Sequence, residues 1–490
     1  MDNVSLDGRS WHLTMPEGLF DRLQAHLFPG DNDEHGAVIA AGMVKAPDGR
    51  IRLLARHLHL AKDGVDYVPG KRGYRMLRAN FVRDRILECR DERLVYLAIH
   101  NHGRGDSVGF SSDDFNSHER GYPALLDIVG DLPVGALVFA SNAIAGDVWL
   151  PNGRRVELTD ATIIGRRRRL LIPAPRRLRR NTDAHYDRQV RLFGDAGQDI
   201  LAQAKVAIIG LGGVGSLLAQ YLAHLGVGYF ILIDPDRIEA TNLPRVVGAT
   251  RWDARTWLTG APWPQWLRRV AAKTATPKVT IARRVICAAN PTAQVELYQS
   301  DVLEPDVAAR LLDCDYLLLA ADSMRARLLF NAIVHQHFIP GVQIGSKVSH
   351  DEESGLLTNV HSIIRPVTPE VGCLWCNQLI NPAKLQEEAQ TERERAAQRY
   401  VDDVEVPAPS VITLNGVGAS QAANDFLFYM TGLTNEDAST AYMRFDPRSR
   451  RASLDSPRKS VECSECGTGR RGRLGRGGFG KRLPTFHRPR

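Results

Sequence analysis

The order of apolar and polar positions marks out short elements separated by turns. Residues 35–44, HGAVIAAGMV, and 94–100, LVYLAIH, are apolar runs of strand length with polar residues at their ends. A glycine-rich turn follows the second run and leads into SSDDFNSHERGY (111–122), which reads as a helix with Ser111 as its N-cap. Residues 205–234, KVAIIGLGGVGSLLAQYLAHLGVGYFILID, read as strand, glycine turn, helix, strand. A later run, DYLLLAAD, ends a further strand at Asp322. Strands alternating with helices predict an α/β chain.

Length and charge refine this picture. The 490 residues suffice for about three domains. No apolar run approaches the roughly 18 residues that a membrane span requires. The opening MDNVSLDGRSWHLTMPEG is polar and mixed in charge, unlike a signal peptide, and a cytoplasmic protein is expected. The formal charge is +7, but eight Lys and Arg lie from Gly469 onward, so the preceding part carries 7 − 8 = −1. That tail, GRRGRLGRGGFGKRLPTFHRPR (469–490), has the composition of a disordered, solvated extension, and nucleic acid is not the expected partner. A second arginine cluster with prolines, at 165–183, reads as a linker. The expected domains are therefore 1–164 and 184–468.

The first domain carries candidate metal chemistry. Side chains alternate along a strand, so His100 and His102 share a face if the strand continues. A hydrolytic zinc takes three protein ligands and leaves one position for water. Asp114 is the candidate third ligand, Glu34 the candidate general base, and Ser111 a candidate donor to an oxyanion.

These five residues resemble the JAMM/MPN (JAB) metalloproteases, which place a glutamate before a strand, then His-x-His, then Ser-x-x-Asp. The resemblance covers roughly residues 15–150. It implies a zinc peptidase or isopeptidase acting at the C-terminus of a ubiquitin-like protein. Two positions depart from that family's pattern. Gly103 replaces its usual proline, and the interval to Ser111 is one residue longer. The usual spacing would make Asp113 the ligand; keeping the Ser-x-x-Asp turn makes it Asp114.

In the second domain, Gly210, Gly212 and Gly215 form G-x-G-x-x-G, with Gly213 inside it, and Asp234 ends the next strand. Glycines there let backbone N–H groups approach a phosphate at a helix N-terminus. Alone this motif most often means a dinucleotide, and an NAD-dependent oxidoreductase is the rival reading. Asp236, Asn242, Arg245, Lys278 and Asp322 follow in order. Such cations and acids suit a triphosphate and its magnesium, whereas hydride transfer needs none of them.

This constellation resembles the ThiF/MoeB/ubiquitin-activating family, over about 184–468. The family's Tyr-x-Arg-Gln appears in YDRQVRLFG (186–194), and its Asp-x(4)-Arg-x(3)-Asn as Asp322, Arg327 and Asn331. Val246 stands where glutamine is common. The resemblance implies a doubly wound, Rossmann-like adenylation domain. Asp234 would hold the ribose, Asn242, Arg245 and Lys278 the triphosphate, and Asp322 magnesium. Arg188 would reach the phosphates, across a homodimer interface in one reading. The implied partner is a ubiquitin-like or sulfur-carrier protein, with a conjugating enzyme or sulfur donor beyond it.

Cys373, Cys376, Cys463 and Cys466 form two C-x-x-C pairs, a full thiolate set for a structural zinc. The other three cysteines, Cys89, Cys287 and Cys314, do not stand where many relatives carry a thioester-forming cysteine, so the chemistry is expected to stop at the acyl adenylate. The whole reads as a bifunctional enzyme using ATP, Mg2+ and two Zn2+. A second rival is an adenylyltransferase whose first domain is an inactive binding module.

Overall fold

The computed structural model describes residues 10–69, 75–175, 184–259, 262–351, 357–389, 409–435 and 440–486. They belong to two compact units. One is built on Met1–Leu178 with His335–Phe338 and Ser460–Arg482, the other on Arg179–Val334, Ile339–Lys459 and Leu483–Arg490. Among the described residues no helix is long and apolar enough to cross a membrane.

The first unit is an eight-stranded sheet. Its strands are β1 (Ser10–Pro16), β2 (Ala37–Lys45), β3 (Arg50–Leu60), β4 (Val95–Asn101), β5 (Val134–Phe139), β6 (Ile144–Trp149), β7 (Arg155–Ile164) and β8 (Arg168–Leu171). The order is β1-β3-β2-β4-β5-β6-β7-β8, and β1 also pairs with β7, so the sheet curls back on itself. Its helices are α1 (Glu17–Leu27), α2 (Ala79–Glu92) and α3 (Ser112–Val129). The strands bury both faces, which is why β2 and β4 read as continuous apolar runs. In β4, Val95, Leu97 and Ile99 join the core under α1, with Leu23 and Leu27. Tyr96 joins the opposite core with Ile86 of α2 and Tyr122 of α3. Alternation then sends His100 to the side of α2 and α3.

Two expectations from composition are corrected here. Part of the expected linker is strand β8, paired antiparallel with β7 from Ala161↔Leu171 to Ile164↔Arg168. Its arginines have local work: Arg169 lies over the Phe20 ring at 4.9 Å and 3.2 Å from Asp21. The rest of that stretch, 176–183, lies outside the described residues. The tail expected to be disordered from Gly469 is folded through Phe486, and its first part belongs to the first unit. Arg56, 3% exposed, donates to the carbonyls of Thr468 (2.9 Å), Gly469 (2.8 Å) and Leu474. Arg476 meets Glu92 at 3.1 Å, and Gly478 N donates to Met43 O at 2.8 Å. A glycine- and arginine-rich segment lacks apolar area of its own, yet it orders when its backbone and guanidiniums find partners on a finished sheet.

The second unit is the expected doubly wound sheet. Its strands are β9 (Lys205–Ile209), β10 (Tyr229–Ile233), β11 (Gln294–Tyr298), β12 (Tyr316–Leu319), β13 (Gly341–His350), β14 (Leu357–Val367), β15 (Tyr442–Asp446) and β16 (Arg451–Asp455). The order is β11-β10-β9-β12-β13-β14-β15-β16, parallel up to β13 and antiparallel after it. Helices α4 (Asp187–Gln203) and α5 (Gly213–His224) lead into and out of β9. Alternate residues of β9 feed two cores: Val206 and Ile208 on the side of α5, Ala207 and Ile209 on the other. After β9 the chain winds outward through β10 and β11, then returns to place β12 on the other flank of β9. That reversal opens a crevice at the C-terminal ends of β9 and β12, where such sheets bind ligands.

Candidate functional site

The crevice is lined from both sides. Gly210 follows β9 with φ of +89°, and a Cβ there would come within 2.8 Å of Ala321 N, just after β12. Only glycine suits that conformation and that contact. At Gly215 a side chain would collide with the Gly210 carbonyl, so this glycine lets α5 start against its own strand. Gly212 is the N-cap of α5 and offers no side-chain cap. A Cβ at Gly213 would meet the Asn415 side chain and stand 3.5 Å from the Arg245 carbonyl, so the Arg245 segment lies against the first turn of α5.

The acids and the lysine converge at the same end. Asp234 is 4% exposed; its carboxylate accepts from Leu211 N at 2.6 Å and from Asp236 N at 2.9 Å. Burial raises its pKa, against the pull of Lys278 and these backbone donors. Lys278 Nζ lies 2.7 Å from Asp236 and 3.9 Å from Asp234. Asn242 is buried and accepts from Glu239 N at 3.3 Å, closing a short turn. Asp322, exposed, stands one residue beyond the Gly210–Ala321 contact. Arg327, in the following helix, is half-buried; burial lowers its pKa while Asp322 and Glu388 raise it.

Arg188 is not brought to this group within the chain. It is exposed at the start of α4, whose Gln189 side chain donates to His224 O at the far end of α5. Three buried or half-buried polar residues of this unit carry no sequence motif. Ser216 Oγ accepts from Val247 N at 3.1 Å. Asn415 is 2% exposed and accepts from Ser346 Oγ at 2.9 Å. Asp253 is bridged by Arg284 at 2.8 Å. None carried a motif; their role follows from burial, which spacing does not reveal.

In the first unit, His100, His102 and Asp114 converge. His100 Nε2 lies 3.1 Å from His102 Nε2 and 3.3 Å from Asp114 Oδ1, and His102 Nε2 lies 3.4 Å from Asp114 Oδ2. Ligand arms of about 2.0–2.1 Å in a tetrahedron give edges of about 3.3–3.4 Å, so the donors already have the spacing of a zinc site. His102 Nδ1 is held by the Gly109 carbonyl at 3.0 Å, which orients the ring. Ser111 caps α3 in a reciprocal capping box: its backbone N and its Oγ each lie 2.7 Å from Asp114 Oδ2. Asp113, one residue earlier on α3, is exposed and outside the group. Burial pushes the Asp114 carboxyl up, but hydrogen bonds from His100 and Ser111 outweigh it and hold it far below the usual range.

Glu34 Oε1 is 3.8 Å from His102 Nε2. Burial raises the Glu34 pKa, partly offset by the two histidines, and a raised pKa suits a base that must later give its proton back. The loop carrying Glu34 is pinned by Asn101, whose side chain accepts from His35 N at 2.6 Å. One helical turn beyond Asp114, buried His118 meets Asp147 at 2.8 Å and fixes the helix from below.

Cys373 and Cys376 lie in the second unit, and Cys463 and Cys466 in the segment Ser460–Arg482 of the first. Cys376 N donates to Cys373 Sγ (3.3 Å) and Glu465 N to Cys463 Sγ (3.4 Å). Four thiolates are the donor set of a structural zinc, and these two pairs could supply it. Cys463→Ser is expected to remove one zinc per chain and to loosen the turn at 460–467. Metal analysis and limited proteolysis check this; unchanged zinc content would contradict a four-thiolate site.

The chain is similar to several known proteins. Sulfur carrier protein adenylyltransferase of Thermus thermophilus is 30% identical over 148 residues, covering 30% of this chain and 47% of that protein. Molybdopterin-synthase adenylyltransferase of Escherichia coli is 31% identical over 149 residues, covering 30% and 52%. The chain thus spans about half the length of these curated relatives. The structure of Escherichia coli MccB with ATP aligns over 58% of this chain and 75% of its own, at 20% identity and a TM-score of 0.40. Residues 186–467, more than half of the sequence, match the ThiF family, and the chain belongs to that family.

Proposed function

We propose that the second unit adenylates the C-terminal carboxylate of a ubiquitin-like or sulfur-carrier protein with ATP, and that the first is a zinc peptidase acting at the same kind of C-terminus. The observation that carries the first half is the convergence at the C-terminal end of β9, where the glycine turn packs Gly210 against Ala321, the residue before Asp322, and where Lys278 lies beside Asp234 and Asp236. The names of the adenylyltransferase relatives support the substrate class.

In the adenylation step a carboxylate oxygen attacks the α-phosphorus of ATP. A new P–O bond forms, the bond to the bridging oxygen of the β-phosphate breaks, and pyrophosphate leaves with the electron pair. The backbone N–H groups of the glycine turn bind phosphate oxygens at the start of α5. Lys278 and Arg245 offset the charge that builds on the phosphates, and Asp234 holds the ribose. Asp322 would hold magnesium, which supplies further charge neutralisation when bound. No covalent enzyme intermediate is needed, in keeping with the absence of a cysteine from the sequence of 409–433. The test is ATP–pyrophosphate exchange with purified ubiquitin-like and sulfur-carrier proteins. Exchange should depend on a free C-terminal carboxylate and vanish when that carboxylate is amidated.

In the peptidase step His100, His102 and Asp114 would hold zinc, which would supply Lewis acidity when bound. Glu34 takes the proton from the attacking water and returns it to the leaving amine. Ser111 Oγ sits beside the triad but already bonds Asp114, so its first task is to position that ligand; donation to an oxyanion would be an added role. Glu34→Gln is expected to keep the zinc and lose cleavage of a ubiquitin-like fusion by at least about 100-fold. Full cleavage in that variant would show that Glu34 is not the base.

A further inference from the structure

Beside the group of His100, His102 and Asp114, the first unit carries an open groove of about 580 Å³ that the hydrolytic step does not use. Its walls are the loop before α3, the first turn of α3, strands β6 and β7, and Pro173. Two lining residues join it to the candidate metal ligands. The carbonyl of Gly109 holds His102 Nδ1 at 3.0 Å, and the Phe110 ring centroid is 6.0 Å from that of His100. Phe115, the residue after Asp114, adds a wall with its ring 5.6 Å from Phe110. A peptide lying across the three candidate ligands can therefore lower a side chain into this groove.

The walls are fixed. Val108 N donates to Pro173 O at 2.9 Å and ties the loop to the chain after β8. Buried His118 packs edge-on against Phe110 and Phe115, at centroid distances of 5.1 and 6.2 Å. The space between the walls is open: a Cβ added to Gly109 would meet no described atom within 4 Å.

Charge selects the occupant. Among the described lining residues Arg155 is the one base, and Asp147 and Glu157 are the acids. Arg155 is committed to Asp147, donating to it at 3.1 and 2.9 Å, and it lies 5.0 Å over the Phe115 ring. Asp147, 4% exposed, also meets His118 at 2.8 Å and accepts from Trp149 Nε1 at 3.2 Å. Glu157 pairs with Asp147 across β6 and β7, which puts both side chains on one face of the sheet, and it is exposed. The groove thus sets a carboxylate beside two phenylalanine rings.

We propose that this groove is a specificity subsite that takes a lysine or arginine side chain of the substrate, close to the bond that is cleaved. The methylene stem packs along Phe110 and Phe115, and the cationic head meets Glu157. An acidic side chain faces the Glu157 carboxylate and is repelled, and a leucine gains the packing without the charge. The proposal rests on the peptidase reading of the first unit and adds which substrates that site prefers.

Two measurements on the full, zinc-loaded chain test it. The first is cleavage of ubiquitin-like fusions in which each residue flanking the cleaved bond is in turn Arg, Leu or Glu. At one position Arg is expected to exceed Leu by about 10-fold in kcat/KM, with Glu the poorest. Glu157→Lys should abolish that order and make Glu the preferred residue, at unchanged zinc content. The second is calorimetric binding of a capped glycine pentapeptide with a central Arg or Leu to the Glu34→Gln variant, which needs no turnover. The Arg peptide should bind more tightly, and adding Glu157→Lys should remove the difference. Cleavage without an Arg preference, or with the same preference in Glu157→Lys, would overturn the subsite while leaving the peptidase standing. Without any cleavage the peptidase reading fails, and the binding measurement decides the groove: equal affinity for the two peptides overturns it.

Discussion

Asp322→Ala is expected to reduce ATP–pyrophosphate exchange to background while the sheet stays folded. The residue is exposed, so its removal empties no core, yet it stands where strand β12 delivers the chain into the crevice opposite Gly210. A carboxylate there would hold magnesium, which would offset charge on the phosphates. Lys278→Ala should act in the same direction, with a loss of about 3 kcal/mol of transition-state stabilisation, or about 100-fold in rate. Exchange at the wild-type rate in Asp322→Ala, with circular dichroism showing an intact fold, would move the magnesium to another acid. An unchanged rate in Lys278→Ala would assign the charge neutralisation elsewhere.

The second large effect separates Asp114 from Asp113. Asp114→Ala is expected to lose the zinc of the first unit, leaving only the zinc of the four cysteines. Asp113→Ala should retain both. The reason is geometric: neighbouring residues on a helix point about 100° apart, and the one aimed at His100 and His102 is Asp114, at 3.3 and 3.4 Å. Removing it also breaks the capping box with Ser111, a loss of about 1 kcal/mol that melting temperature should report separately from metal content. Zinc loss in Asp113→Ala alone would contradict this placement.

What was legible in the sequence shares a physical cause: local periodicity or backbone necessity. Alternation along LVYLAIHNH puts His100 and His102 on one face as long as the extended backbone continues, and the two ring nitrogens do meet, at 3.1 Å. The glycine turn after β9 requires φ above zero and a close approach to its neighbour, so its glycines announce it. Composition misleads for the tail because it measures how much core a segment can make alone. It does not measure whether Arg56, Glu92 and the backbone of Met43 wait to receive it. The same holds at 168–171, where Arg168 and Arg169 pair along β7 and Arg169 covers Phe20. Asn101 was invisible for a different reason. It lies between two candidate ligands, on the other face of the strand, and its bond to His35 joins segments 66 residues apart.

Whether this ThiF-family chain activates a protein carboxylate is decided by ATP–pyrophosphate exchange of the wild-type chain with a panel of ubiquitin-like and sulfur-carrier proteins bearing free C-termini. Magnesium-dependent exchange is expected with at least one of them, abolished by C-terminal amidation and by Asp322→Ala. No exchange with any of them, together with binding of NAD in place of ATP, would contradict the adenylation chemistry assigned to the crevice.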